Sequence, residues 1–379
     1  MINSESSLRL VIPVLLFVGA AQGFLLAGAL FSLRRGNATA NRILASLLLI
    51  FSITIFFHTL AQFRPRLPGE PPDAWAGHSV FLLFGPLMFL YAKALTTKGF
   101  RLQIGDSIHL IPFLAFCLLY QLVRKLSLPS AFSGPVGAGL FLFMVAQMLS
   151  YLLAVLEILN NHGARIRESF SSLEHINLRW LRLVTMGQIV IWSVAFVVEM
   201  FKSDPRRINV VWLLVSAFMY MVGYFGISQP EIFTARIESG ESTGTGEKYG
   251  KSALSAAEAE LILKRLEKMM KSEKPYVNAG LTLPLLSKQL SIPVHHLSQV
   301  INQHLGKNFF EFINGYRVDE AKRLLVDPKM RNLTLAAIGF EAGFNSVSSF
   351  NSIFKKVTST TPSRYRASAE AAVSPKPAY

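Results

Sequence analysis

His58, Gln62, His78 and Glu199 stand out first, because each lies in or beside an apolar run where an imidazole, an amide or a carboxylate is costly to bury unless it is paired or has a task. Two imidazoles and a carboxylate brought together would suit a ligand or proton site, since histidine changes charge near neutral pH. The same residues have a plainer role at helix ends, reaching toward lipid headgroups or bonding between helices. Gln22, Lys93, Gln147, Glu157 and Gln188 are further polar residues in this half, and Lys93 and Glu157 read as snorkelling side chains. No HExxH, P-loop or GxSxG motif accompanies them, and Glu157 and Glu199 sit near segment ends rather than at a midplane. The last apolar segment lacks a lysine for a Schiff base, which disfavours a retinal receptor. A single cysteine, Cys117, rules out an intrachain disulfide and a four-thiolate zinc site. No cofactor and no metal are expected.

The elements that would position these residues are membrane spans. The chain has 379 residues, 51% hydrophobic and 16% charged, which is too apolar for an ordinary soluble protein. A bilayer core about 30 Å thick takes about 20 helical residues. Candidate spans lie near 10–33, 42–62, 78–97, 107–124, 136–159, 181–201 and 209–229. Each must be helical to satisfy its backbone in lipid. The first outruns the apolar core of a signal peptide and ends at Arg34 and Arg35, so it reads as a retained span. With the C-terminus inside, the inner loops hold nine basic residues and the outer side eight, a weak bias, so orientation rests on what the C-terminal region does. The outer loops are short, roughly 7–15 residues, which leaves no folded domain there for a large ligand. Gly19 and Gly23 form a GxxxG pattern of the kind that also arises by chance, and Trp75, Trp180 and Trp212 fall near expected interfaces.

Composition changes after Gln229. The stretch containing IESGESTGTGEKYGKS has no hydrophobic period and reads as a flexible tether, with cleavage there a minor alternative. The chain thus divides into three regions: 1–229 in the membrane, a linker over 230–253, and 254–379 as a soluble module. Leu261, Leu263, Leu266, Met269 and Met270 give the first soluble helix an apolar face. Thr282 is placed to cap a helix over 283–290, Ser291-Ile292-Pro293 turns, and a second helix runs over 294–305 until Gly306. A long helix over 309–326 turns Phe309, Phe312, Ile313, Tyr316 and Leu324 inward. Thr334 then caps 335–342, Gly343 turns, and Ser346 caps 347–357. The predicted fold class is all-α: a seven-helix transmembrane bundle followed by two helix-turn-helix units joined by one helix.

LSQVINQHLGKNFFEFINGYRVDEAKRLL followed by AAIGFEAGFNSVSSFNSIFKKVTSTTPSRYR resembles the DNA-binding domain of the AraC family of bacterial transcription regulators, over 254–366. The resemblance implies two recognition helices presented to successive major-groove faces, about 34 Å apart. It places His295, His296, Gln299 and Asn302 on the first, and Ser346, Ser348, Ser349, Asn351, Lys355 and Lys356 at the second. Amides suit adenine edges, and lysines suit phosphate or guanine. It makes Arg317 and Arg364 backbone contacts or structural pairing groups, with Arg366 in the same position, and puts Phe340, Phe344, Phe350 and Phe354 in the core. The chain departs from the family at Pro293, where a Ser or Thr cap is common, at Gly339, where Ala is usual, and at Gln299, Asn302 and Ser352, where a basic residue is frequent. Fewer cations release fewer counterions on DNA. GPLMFLYAKAL at 85–95 and HLIPFL at 109–114 are similar to seven-helix regions fused to such domains in some bacteria.

The implied function is a membrane-anchored, sequence-specific transcription regulator without enzymatic activity. It would sit in the bacterial inner membrane with its C-terminal domain in the cytoplasm. Its partners would be double-stranded promoter DNA, the lipid bilayer, a small or lipid-borne signal and, by family likeness, a second copy as a homodimer. The competing readings are a membrane transporter or enzyme with a helical regulatory tail, and a scaffold whose DNA-binding capacity has decayed.

Overall fold

The computed structural model describes residues 4–33, 36–63, 79–126, 134–174, 176–200, 205–228 and 254–373. The tether expected at 230–253 and His78 lie outside the described residues, and so does the side chain of Glu199. The chain divides into two compact units, one of residues 1–161 with 178–234 and the other of 162–177 with 235–379. The second unit therefore recruits a segment from within the apolar half.

The first unit holds α1 (Ser4–Ser32), α2 (Ala38–Ala61), α3 (Phe81–Thr96), α4 (Ile111–Lys125), most of α5 (Gly134–Ser169), α6 (Arg179–Met200) and α7 (Pro205–Ser228). Among the described residues five helical stretches, at 11–32, 38–61, 104–123, 135–169 and 179–197, are long and apolar enough to cross a membrane, and the stretches at 81–96 and 211–227 are apolar but shorter. α1 packs on α2 and α7, α2 also on α3, and α6 on α7. Small residues permit the closest approaches. A Cβ at Gly19 would lie 2.8 Å from the Cβ of Ser216, and one at Gly23 would lie 2.9 Å from the methyl of Met219. The GxxxG pattern is thus a packing surface.

Hydroxyls inside this bundle are satisfied within their own helices. Ser52, Thr59 and Thr185 each donate to the carbonyl four residues back, at 2.7 to 2.8 Å. Lys93 pairs with Asp106 at 3.7 Å. Gln188 differs. It is 1% exposed and neither amide atom has a hydrogen-bond partner. It borders a cavity of about 20 Å³ among Phe51, Phe84, Trp192, Phe218 and Met219, room for about one water.

In the second unit, α8 (Ala256–Ser272) opens on a capping box in which Ser255 and Glu258 bond reciprocally. Its inward face is Ala259, Ile262, Leu266 and Met270, whereas Leu261, expected to be apolar-facing, is 59% exposed. The correct stripe has helical spacing and Leu261 falls beside it. The long helix α11 (Phe309–Val326) serves two cores. Phe309, Phe312 and Ile313 join the core under the first helix pair, and Val318, Ala321, Leu324 and Leu325 the core under the second. One rigid element thereby supports both pairs. Among the described residues the regular structure is helical, with no strand beyond an isolated antiparallel bridge between Phe170 and Thr282.

Candidate nucleic-acid interface

The first helix pair is α9 (Leu283–Leu290) and α10 (Val294–Gln299). Thr282 accepts the N–H of Leu285 at 3.4 Å, as its position before an apolar run predicts. Arg265 donates to the carbonyl of Leu290 at 2.8 Å and so closes the other end of α9. Ser291 takes the left-handed conformation at φ 55° and makes the turn. Pro293 leads α10 and offers no side-chain cap.

The helix expected over 294–305 is not one regular α-helix. After Gln299 the chain widens into a π-turn at Val300–His304, and Gly306 ends it at φ 62°. The wide turn lets consecutive Val300 and Ile301 both face the core, both being buried. It also shifts the helical register of the residues after it. His295 is exposed, His296 is half-buried against it with ring centroids 4.2 Å apart, and Gln299 bonds Gln303 at 3.1 Å. Asn302 is half-buried and bonds Ser298 at 3.3 Å. The Nε2 atom of His296 is buried without a partner.

The second pair is α12 (Leu335–Glu341) and α13 (Val347–Thr358). Thr334 accepts the N–H of Ala337 and Ser346 that of Ser349, each at 3.1 Å. Between the helices Gly343 sits at φ 94°, and a Cβ there would come 2.4 Å from the carbonyl oxygen of Tyr276. No other residue fits that turn without a shift of backbone. At Gly339 a Cβ would meet the ring of Phe350 at 2.8 Å, which accounts for glycine where alanine was expected. Phe350 and Phe354 are buried one helical turn apart. On the opposite side Ser348, Asn351, Ser352, Lys355 and Lys356 are all exposed, an amide, hydroxyls and two ammonium groups on one face. Lys356 lies 3.8 Å from Glu311. Beyond it is α14 (Pro362–Val373), with Arg364 exposed in its first turn.

Two expectations are corrected, those for Arg317 as a DNA contact and Phe340 as core, and Arg366 takes a structural role, one of the two expected of it. Arg317 is 1% exposed, so it does not lie on the face that α13 presents. Its guanidinium donates to the carbonyls of Tyr276 at 2.8 Å, Asn278 at 2.9 Å and Ser171 at 3.0 Å, and to the hydroxyl of Ser171 at 3.0 Å. Five fixed donors suit a cluster of loop carbonyls, and burial lowers its pKa to about 10. Phe340 is 53% exposed and not core, because Ile338 and Gly339 take the inward side of α12. Arg366 turns one nitrogen to the carbonyl of Leu333 at 3.0 Å, while its Nε and Nη2 atoms are buried without partners.

Sequence reasoning missed the segment that meets this unit from the apolar half. Ser171 is buried, and Asn314 donates to its carbonyl at 3.0 Å beside Arg317. Glu174 accepts hydrogen bonds from the hydroxyls of Ser346 and Ser349, the latter at 2.9 Å. A separation of more than 140 residues leaves no local signal for these contacts.

A family model described as a helix-turn-helix domain matches residues 286–368, from within α9 to within α14. Residues 286–368 form a helix-turn-helix domain. An uncharacterised HTH-type transcriptional regulator of Staphylococcus aureus is 34% identical over 91 residues, 24% of this chain and 12% of that protein. The arabinose operon regulatory protein of Salmonella typhimurium is 24% identical over 188 residues, 44% of this chain and 65% of that protein. The chain thus spans about an eighth of the staphylococcal relatives' length. A solved protein of unknown function from Listeria innocua shares 29% identity, with 28% of this chain and 95% of that one covered and a TM-score of 0.24.

Proposed function

We propose that this chain is a membrane-anchored, sequence-specific DNA-binding transcription regulator, in which an AraC-type domain reads promoter DNA and the apolar unit responds to a signal at the membrane. The observation that carries the reading is the face of α13, where Ser348, Asn351, Ser352, Lys355 and Lys356 are exposed above buried Phe350 and Phe354. A helix with a packed underside and a polar, cationic outer side suits the major groove. Asn351 is assigned to a base edge and Lys355, Lys356 and Arg364 to phosphates; His295 and Gln299 on α10, with Asn302 in the π-turn that follows, form the lesser face, with His296 supporting them.

Anchoring is supported by the five long apolar helices and by exposed Val11, Val18, Leu25, Leu118, Leu153 and Val190 on their outer sides, a surface that water would not tolerate in this amount. We assign all seven apolar helices as spans, with the C-terminal domain on the cytoplasmic side of a bacterial inner membrane. The signal would be small or lipid-borne. His58, whose ring lies 4.8 Å from that of Trp212, and Gln62 at the end of α2 are assigned to its site, with His78 and Glu199 as further members. The active form would be a homodimer, a reading that rests on family likeness.

The test uses the full chain in nanodiscs, presented with a pool of random duplexes. Selected sequences should share a motif, and Asn351→Ala combined with Lys355→Ala should abolish the selection. A pool that emerges without any shared motif would overturn the reading.

A further inference from the structure

We propose that residues 171–174 are a strap that holds the Glu174 carboxylate where a DNA phosphate would otherwise sit, so that the strap and DNA compete for the N-terminus of α13. The inference rests on the reading that α13 meets DNA, and it assigns the phosphate site and its resident competitor.

The N-terminus of a helix carries unsatisfied N–H groups and the positive end of the helix dipole, and phosphates of nucleic acids are commonly held there with help from Ser and Thr hydroxyls. α13 has this equipment. The oxygen of Ser346 accepts the N–H of Ser349 at 3.1 Å, which leaves its hydroxyl proton directed outward. That proton and the hydroxyl of Ser349, at 2.9 Å, both go to one oxygen of Glu174. A carboxylate receiving two hydroxyl protons at a capped helix start is the arrangement a phosphate oxygen would adopt.

Glu174 is delivered there by a built anchor and not by a loose loop. Three residues earlier, Ser171 is buried and tied on every polar atom. Its carbonyl accepts from Arg317 and from Asn314, each at 3.0 Å, and its hydroxyl donates to the carbonyl of Leu281 at 2.6 Å while accepting from Arg317 at 3.0 Å. Phe170 bridges to Thr282, the residue that caps α9. The strap and the residue before it therefore touch the caps of both helix pairs. With the anchor this near, the carboxylate faces Ser346 at a high effective concentration and a phosphate must displace it. The strap is also covalently continuous with α5 before it and α6 after it. Any change in those helices that draws Ser171 away favours DNA, and by linkage bound DNA favours the drawn state.

The experiment compares wild type, Glu174→Gln and Glu174→Ala as full chains in nanodiscs, on a duplex selected from a random pool with the Glu174→Ala chain. Both variants should bind it roughly tenfold more tightly than wild type, the size expected when charge-assisted hydrogen bonds to a competitor are lost. Hydrogen exchange on the wild type supplies a readout without mutation: amides of 171–174 should exchange faster when the duplex is added, while those of α13 slow. Equal affinity of all three chains, or strap amides that slow or hold still on DNA binding, would overturn the strap and leave DNA recognition standing. If none of the three retains any sequence above the pool, the DNA reading fails and the strap fails with it.

Discussion

The two units solve the problem of apolar surface in opposite ways, and the difference says where each of them meets its surroundings. In the first, leucines, valines and phenylalanines are exposed along nearly every helix, while the buried side includes Ser52, Thr59, Thr185 and Gln188. In the second, exposed large apolar residues are few, Leu261 and Phe340 among them, and the outer faces carry lysine, asparagine and glutamate. An oily exterior with internally bonded hydroxyls suits the lipid surroundings proposed for the first unit, and aromatic cores under a charged exterior suit contact with water. The first unit joins its helices by close approach at glycines, the second by filling volume with Phe309, Phe350 and Phe354.

That contrast is broken most severely at the second unit's aromatic core. Phe350→Ala should cost about 3–5 kcal/mol through the cavity it leaves. Hydrogen exchange should show α12 and α13 opening while α1 and α2 keep their protection. Gly343→Ala comes next, at about 2–4 kcal/mol, because the turn is left-handed and its Cβ would meet the Tyr276 carbonyl. A thermal scan that found this variant as stable as wild type would remove the argument from the turn.

In the first unit the expected sign is reversed. Gln188→Leu should stabilise the bundle by about 1–2 kcal/mol, since it replaces a buried amide without partners by a side chain of similar size. The check is the midpoint of unfolding in detergent. The smallest effect concerns pH. Glu320 accepts from Arg323 at 2.7 Å and Lys274 at 3.1 Å, and the Arg323 hydrogen bond, followed by that of Lys274, holds its carboxyl below the ordinary value. A depressed folded pKa contributes stability that is present above the ordinary carboxylate pKa and is lost as pH falls through the folded one. Glu320→Gln should flatten the acid side of the second unit's stability profile by well under about 1 kcal/mol, Glu320 being partly solvated.

Much of this was legible in the residues. Thr282, Thr334 and Ser346 announced their helices because a capping hydroxyl acts within three positions, and Gly343 marked its turn because it alone tolerates that backbone. Positions set by long-range contact were not legible. Arg317 reads equally as a DNA-backbone contact or a structural group until the loop carbonyls of Tyr276, Asn278 and Ser171 surround it. Phe340 reads as core by type, yet α12 is too short for more than one inward stripe. The π-turn at Val300 arises from packing of the core beneath it, to which local propensity is blind. At the interface itself, the face of α13 was legible through the family resemblance, whereas the carboxylate resting on its cap comes from a segment far away in the chain.

The central claim, that one chain both resides in the membrane and reads promoter DNA, is tested most directly by formaldehyde crosslinking in cells, then isolation of the membrane fraction and sequencing of the DNA bound to the full chain. Discrete genomic sites sharing a motif are expected, and they should disappear in the Asn351→Ala, Lys355→Ala double variant. Uniform recovery of the genome, unchanged by that double variant, would contradict the account.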